Sequence, residues 1–158
     1  LDELAKDVVN NLRDHAEKKN ISLDYCGIPI NIQGVRHVLY EMLYNIADNA
    51  VRYTNPGGHI HIYVGRKGNR PFYRVEDDGI GIPDDKMEEL NAYNAKDSEA
   101  LYRVQTQSQG DRTHLGVINV ISRLKLYYQE NAEVIYTRNK TGGTTVKIKI
   151  KTASERHE

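Results

Sequence analysis

The chain has 158 residues, 39% of them hydrophobic, and its 22 Lys+Arg are balanced by 22 Asp+Glu. This is the length of one ordinary domain, able to bury roughly 70% of its unfolded surface around a single core. The charge balance excludes a general duplex-binding surface, which draws affinity from phosphates neutralised by a basic excess, and no run nears the ~18 apolar residues that span a bilayer. The single cysteine, Cys26, excludes an internal disulfide and a multi-cysteine metal site and fits a reducing compartment. The chain opens at Leu1 without a basic-apolar leader and closes on a polar stretch, so a soluble piece of a longer protein is expected, with residues 152–158 as a tail.

Residues 1–19 set Leu4, Val8, Val9, Leu12 and Ala16 at helical spacing, which predicts an amphipathic helix. Ile21, Leu23 and Tyr25 then alternate with Ser22 and Asp24 as in a half-buried strand. From about 34 to 53, Val35, Val38, Leu39, Met42, Leu43, Ile46, Ala47 and Ala50 recur at three- and four-residue steps and predict the longest helix, stopped by Asn55-Pro56-Gly57-Gly58. Residues 59–66 and 71–76 alternate and read as a hairpin, followed by a glycine-punctuated turn at 77–83. Residues 84–113 are polar, with Met87, Leu90, Leu101 and Val104 as apolar anchors; so long a connection suggests a lid, with room for short helices. Residues 115–128 return to helical spacing, and 132–137 and 144–150 predict two last strands around Thr141-Gly142-Gly143. Helices interleaved with hairpin-connected strands predict an α+β two-layer sandwich, a mixed and mostly antiparallel sheet covered on one face by about three helices.

Two clusters could carry chemistry. Glu41, Asn45, Asn49 and Arg52 follow one another at four, four and three residues, on the side of their helix away from its apolar stripe. For any single one a solvated helix face is the ordinary reading. Two carboxamides in line are less usual, because Asn competes locally with the helical backbone. With an acid and an arginine beside them they could hold a hydrated cation and adjoining phosphates; magnesium takes oxygen ligands and keeps waters. The second cluster, Asp77-Asp78-Gly79-Ile80-Gly81-Ile82-Pro83, puts an acid at a strand end before two glycines, so that backbone can approach a ligand while a fixed carboxylate accepts hydrogen bonds. It lacks the third glycine of a dinucleotide fold and the Gly-Lys-Ser/Thr ending of a Walker loop.

Asn45-Ile46-Ala47-Asp48-Asn49-Ala50-Val51-Arg52-Tyr53-Thr54 resembles the N box of sensor histidine kinases, and the Asp77 cluster resembles their G1 box. Leu115-Gly116-Val117-Ile118-Asn119 is similar to the G2 box, and Gly142-Gly143-Thr144-Thr145 to the terminal glycine box, in the family's order. The resemblance implies the catalytic ATP-binding domain of these kinases, with the Bergerat fold shared by gyrase B and the Hsp90 chaperones. It implies Asn49 as ligand of Mg2+, Asn45 on metal-bound water or phosphate, Arg52 directed at the phosphates, and Tyr53 packed near adenine unless it serves the core. It further implies Asp77 as acceptor from the adenine amino group, Gly79, Gly81 and Ile82 beside the base, and Thr144 on the same adenine edge. His114, Leu115 and Gly116 would stand at the start of a helix whose N-terminus faces phosphate.

The implied partners are ATP, an upstream dimerisation domain bearing the acceptor histidine, and a response regulator. The parent would be a homodimer and a membrane sensor, with this domain in the cytoplasm and touching neither nucleic acid nor membrane; residues 1–19 would be the connector helix and 20–151 the domain. Some features depart from the family. No acceptor histidine is evident: His15 lies in the connector, and His37, His59, His61 and His157 have no metal-ligand spacing that includes Cys26. His114 replaces a glycine of the G2 pattern, which either alters the lid's closed geometry or faces an imidazole to phosphate. The lid lacks an aromatic-rich box; Leu101-Tyr102-Arg103-Val104 is its nearest echo, and Lys96, Arg103 and Arg112 are candidate phosphate contacts better read as solvated. Glu41 four residues before Asn45 imitates the catalytic pair of ATP-hydrolysing relatives, so a gyrase-like ATPase or an anti-sigma-type serine kinase is the alternative, and a regulatory module without catalysis another.

Overall fold

The computed structural model describes residues 1–107 and 112–151, with the side chains of 112–115 outside the description. In chain order it runs α1 (Asp2–Lys18), β1 (Ser22–Gly27), α2 (Arg36–Tyr53), β2 (His59–Lys67), β3 (Arg70–Asp77), α3 (Asp84–Ala92), α4 (Ser98–Gln107), α5 (Arg112–Tyr128), β4 (Ala132–Arg138) and β5 (Thr144–Ile150). The five strands form one sheet in the order β1-β2-β3-β5-β4, in which β1 runs parallel to β2 and the other pairs are antiparallel. A parallel pair needs a crossover, and α2 supplies it between β1 and β2. The β2–β3 hairpin closes with Lys67 opposite Arg70, a two-residue turn at Gly68-Asn69.

The period-two pattern divides the sheet into two faces. Ile60, Ile62, Val64, Tyr73, Val75, Val134, Tyr136, Val146, Ile148 and Ile150 are buried beneath the helices. The opposite face carries Tyr63, Phe72, Arg74 and Lys147, with the Arg74 guanidinium 4.4 Å from the Tyr63 ring centre and Lys147 Nζ 4.2 Å from that of Phe72. The helical stripes close the core: Leu4, Val8 and Leu12 of α1, Met42, Leu43 and Ile46 of α2, and Ile118, Ile121 and Leu124 of α5. Tyr73 ties the layers together, its buried hydroxyl donating to the Leu43 carbonyl at 3.1 Å.

Residues 1–19, expected as a connector, are packed along α2 and share this core. Lys19 donates its ammonium to the carbonyls of Val51 (2.8 Å), Arg52 (3.1 Å) and Thr54 (2.9 Å), the unpaired acceptors at the end of α2. The segment expected as a lid is largely helical. α3, a 3-10 turn at Tyr93–Ala95 and α4 occupy most of 84–107, and Met87, Leu90, Tyr93 and Leu101 are buried. Its residues 108–111, and the tail 152–158, lie outside the described residues. α5 begins at Arg112 rather than at Leu115, so Gly116 sits in its second turn and not at its start. The physical reason is residue 114: a histidine tolerates helical dihedrals where a glycine would have favoured a break, and the helix extends back through it.

Candidate functional site

β3 is the middle strand, and Asp77 is its last residue. Beside it β5 begins at Thr144, and across from it α2 ends at Tyr53. Two glycine turns let these chain ends converge. A Cβ on Gly143 would fall 2.0 Å from the Asp77 carbonyl oxygen, and one on Gly81, which has φ +75°, would fall 2.5 Å from the Gly142 carbonyl oxygen. Both contacts are backbone to backbone, so only glycine allows the approach. Gly79 is equally close to the end of α2, where an added Cβ would meet the Tyr53 carbonyl oxygen at 2.7 Å.

The convergence encloses a cavity of about 250 Å³. Its walls are largely apolar, with Ile46 and Ala50 of α2, Leu90 of α3, Val117 of α5, Tyr136 of β4 and Val146 of β5. Its polar residues are few: Asn49, Tyr53, Asp77, Tyr136, Thr144 and Lys86, whose ammonium lies 3.4 Å from Glu89 on the same helix. Asp77 Oδ1 accepts the N–H groups of Gly79 at 3.0 Å and Thr144 at 3.2 Å. Oδ2 has no hydrogen bond within the described residues. Burial pushes the Asp77 carboxyl above the ordinary carboxylate range, against the two N–H donors that favour its charged form, and neighbouring Asp78 pushes the same way as burial. Asp78 itself turns outward, accepting the His59 N–H at 2.8 Å and pairing with His59 Nδ1 at 2.9 Å.

Of the residues singled out in the sequence, Asn49, Tyr53, Asp77, Gly81, Ile82 and Thr144 line this one cavity. Gly79 abuts it through Asp77, and Gly116 of α5 faces Asn49, its added Cβ lying 3.9 Å from Asn49 Nδ2. Asn45, one turn before Asn49, is not in the wall. Nor is Arg52, which is exposed and pairs with Asp48 at 3.0 Å. The side chains of His114, Leu115 and Arg112 lie outside the description. Glu41 bonds Arg123 of α5 at 2.6 Å and His37 at 3.2 Å, away from the cavity. Lys96 accepts at its carbonyl from Lys125, and Arg103 pairs with Glu99 along α4. Lys86 was not anticipated; the signal for it was only that it follows Pro83 at the start of a helix, where a side chain three residues on turns back toward the preceding loop. Among the described residues no three His, Cys, Asp or Glu side chains form a cluster able to hold a metal ion, and Cys26 is free and exposed.

Comparison with known proteins bears on the same span. The profile of the family described as histidine kinase-, DNA gyrase B-, and HSP90-like ATPase matches residues 34–154. The sensor protein kinase PmrB of Pseudomonas aeruginosa is 30% identical over 125 residues, 79% of this chain and 25% of that protein. The heme sensor protein HssS of Staphylococcus aureus is 29% identical over 82 residues, 52% of this chain and 18% of that protein. The chain therefore spans about a quarter or less of the length of these relatives. Among solved structures, the catalytic domain of histidine kinase ThkA matches with a TM-score of 0.75 at 18% identity, over 96% of this chain and 91% of that one. Full-length ShkA in complex with AMPPNP matches at 0.70 and 21% identity, over 94% of this chain and 29% of that one. Those two likenesses concern the fold, while the profile spans most of the sequence: the chain belongs to the family of histidine kinase-, DNA gyrase B- and HSP90-like ATPases.

Proposed function

We propose that this chain is the ATP-binding catalytic domain of a two-component sensor histidine kinase, which binds Mg·ATP in the cavity and donates the γ-phosphoryl group to a histidine on a separate dimerisation domain. A response regulator would then take the phosphoryl group from that histidine. The observation that carries this reading is Asp77: a half-buried carboxylate at the end of the central strand, fixed through Oδ1 by two backbone N–H groups and with Oδ2 open beside an apolar cavity. That is the arrangement needed to accept a hydrogen bond from the amino group of a flat, largely apolar base. The volume, about 250 Å³, lies below the roughly 300 Å³ at which small-ligand pockets begin. It suits the base, with sugar and phosphates running outward past Asn49.

Asn49 would offer its carboxamide oxygen to Mg2+, and one protein oxygen fits an ion that otherwise keeps waters and phosphate oxygens. When bound, the metal neutralises charge developing on the transferred phosphoryl group. This chain's own residues would orient the nucleotide: Asp77 and Thr144 on the base edge, Tyr53 and Ile82 against its faces, and Lys86, whose ammonium now meets Glu89, in the wall. Proton abstraction from water is not among their roles. Glu41 is held by Arg123 and His37, and Asn45 has no basic site, so the geometry favours transfer to a positioned nucleophile over ATP hydrolysis. No helix among the described residues is long and apolar enough to cross a membrane. We place the domain in the cytoplasm, in a homodimeric parent that senses at a membrane.

The test is calorimetric titration with ATP and GTP, with and without Mg2+, of the wild-type chain, Asp77→Asn and Asn49→Ala. Replacing the open acceptor by a donor should weaken ATP binding by ~1.5–3 kcal/mol, the range for hydrogen bonds to charged groups, while Asn49→Ala should remove only the part of the affinity that depends on Mg2+. Equal affinity of wild type and Asp77→Asn for ATP would sink the adenine assignment.

A further inference from the structure

β4 is an edge strand: it pairs with β5 on one side only. An open edge presents a row of unpaired N–H and C=O groups, and successive residues of a strand present them to alternate sides. On the open side of β4 two asparagines meet these groups. Asn94 Oδ1 accepts the Val134 N–H at 3.1 Å, and Asn94 Nδ2 donates to the Val134 carbonyl at 2.6 Å. Two residues along, Asn91 Oδ1 accepts the Tyr136 N–H and Asn91 Nδ2 donates to the Tyr136 carbonyl, each at 2.8 Å. A carboxamide carries the same donor and acceptor as a peptide group, so the pair stands where a sixth strand would. A third tie lies at the strand's end, where Arg138 donates to the Ile82 carbonyl at 3.0 Å and pairs with Asp84 at 2.9 Å.

These bonds fasten both ends of α3 to the sheet, and α3 is a wall of the cavity. Lys86 and Leu90 line the cavity from α3, Ile82 lines it just before, and Tyr136, which Asn91 grips, lines it from β4. Asn91 and Asn94 themselves touch no part of the cavity. We propose that Asn91 and Asn94 are positioning residues for the nucleotide: by occupying the open edge of β4 they set the placement of α3, and with it that of Lys86. The inference rests on the nucleotide reading above. It makes affinity for Mg·ATP depend on two side chains that the ligand never meets. It also fixes the part of the 84–113 segment that belongs to the wall, namely α3.

The experiment pairs amide hydrogen exchange of the free chain with calorimetric titration of Mg·ATP, for Asn91→Ala, Asn94→Ala, the double variant and the volume-keeping Asn91→Leu. Exchange at Val134 and Tyr136 should speed up in the double variant while Ile62 and Val75 at the sheet centre stay protected, and Mg·ATP binding should weaken about tenfold or more as the wall formed by α3 loses its fixed placement. Lys86→Ala should weaken binding in the wild-type background and have little further effect in the double variant, a non-additivity that general loss of stability does not produce. An edge that opens with the centre intact and the affinity unchanged overturns the proposal, as does unchanged exchange at Val134 and Tyr136. Full additivity with Lys86→Ala overturns it too. If the double variant also loses protection at Ile62 and Val75, the single substitutions carry the same readings. A wild-type chain that binds no adenine nucleotide refutes the functional reading and this role with it, and the exchange data still report separately whether the edge is held.

Discussion

The close approach at Gly143 gives a prediction whose size follows from distances. An alanine there places Cβ 2.0 Å from the Asp77 carbonyl oxygen, 2.7 Å from the Asp77 carbonyl carbon and 2.8 Å from Asp78 Cα. All three are backbone atoms, so no side chain can swing aside. Reaching the 3.0 Å below which Cβ contacts essentially do not occur requires the two chains to part by 1.0 Å. The Thr144 N–H to Asp77 Oδ1 bond is already 3.2 Å long, so a displacement of that size breaks it and leaves the carboxylate with one donor, from Gly79. Overpacking of this kind costs ~1–3 kcal/mol. Gly142→Ala is the control: its φ of +86° makes alanine strained, yet nothing lies within 4 Å of the added Cβ. Strain there costs ~1–2 kcal/mol and leaves the Asp77 contacts in place. Urea unfolding and ATP titration of both variants should give comparable losses of stability but divergent affinities, with Gly143→Ala alone weakened. Equal affinities in the two variants would refute the claim that the Gly143 approach sets the carboxylate.

Other consequences follow from the buried polar groups. Burial raises the Asp77 carboxyl in the folded chain above its ordinary 3.8, so folding favours the protonated form, and stability falls as pH rises through that window and stays lower above it. Asp77→Asn should therefore melt above wild type near pH 7, with the gap closing as pH falls toward about 4; a gap that widens on acidification would contradict the assignment. Tyr73→Phe removes the hydroxyl bond to the Leu43 carbonyl, which keeps its place in α2, so unfolding free energy should fall by only ~1 kcal/mol with nucleotide affinity unchanged. Thr54 is 1% exposed and its Oγ1 has no hydrogen-bond partner. Its backbone is extended (φ −83°, ψ 134°), a region that suits valine. Thr54→Val should then hold or raise stability, by up to ~1 kcal/mol in urea unfolding, and a marked loss would reveal a partner for the hydroxyl.

The elements most legible in the sequence are those whose burial follows one period. Alternation from Ile60 to Val64, and three- and four-residue spacing from Leu39 to Ala50, give β2 and α2 almost to their ends, because one face of each meets the core. Asp77 and the glycine turns were legible for another reason: an acid at a strand end and paired glycines demand particular backbone contacts, and the contacts are there. The 84–107 segment was harder to read because two of its polar residues, Asn91 and Asn94, are half-buried against the sheet rather than solvated. Asn91 and Asn94 look like loop residues by composition, yet their partners are backbone groups some forty residues away, and no local pattern encodes such a partner. Arg52 and Glu41 stand at the expected helical spacing, but Asp48 and Arg123 take them first. Spacing fixes the face of a helix; which charge a side chain then pairs with depends on the neighbours that folding brings.

Those pairings also bear on how, under the proposed function, a chain with as many acids as bases would accommodate a polyanion. Arg52 with Asp48, Arg123 with Glu41, Arg138 with Asp84 and Arg74 with Glu76 join cation to acid across the surface, so little long-range field is left to attract phosphate. What the proposed reading leaves near the cavity is short-ranged: one carboxylate for the base, one carboxamide for a metal, and a lysine in the wall whose ammonium meets Glu89. Each is set by a chain end or helix whose place depends on a distant element, namely β3 against the Gly143 turn, α2 capped by Lys19, and α3 on the edge of β4. Recognition by few groups works only when each is well placed, because a misplaced donor or acceptor is not compensated by others nearby. On the proposed reading the close backbone contacts and the carboxamide ladder are therefore parts of the binding site in the energetic sense, although no ligand atom would touch them.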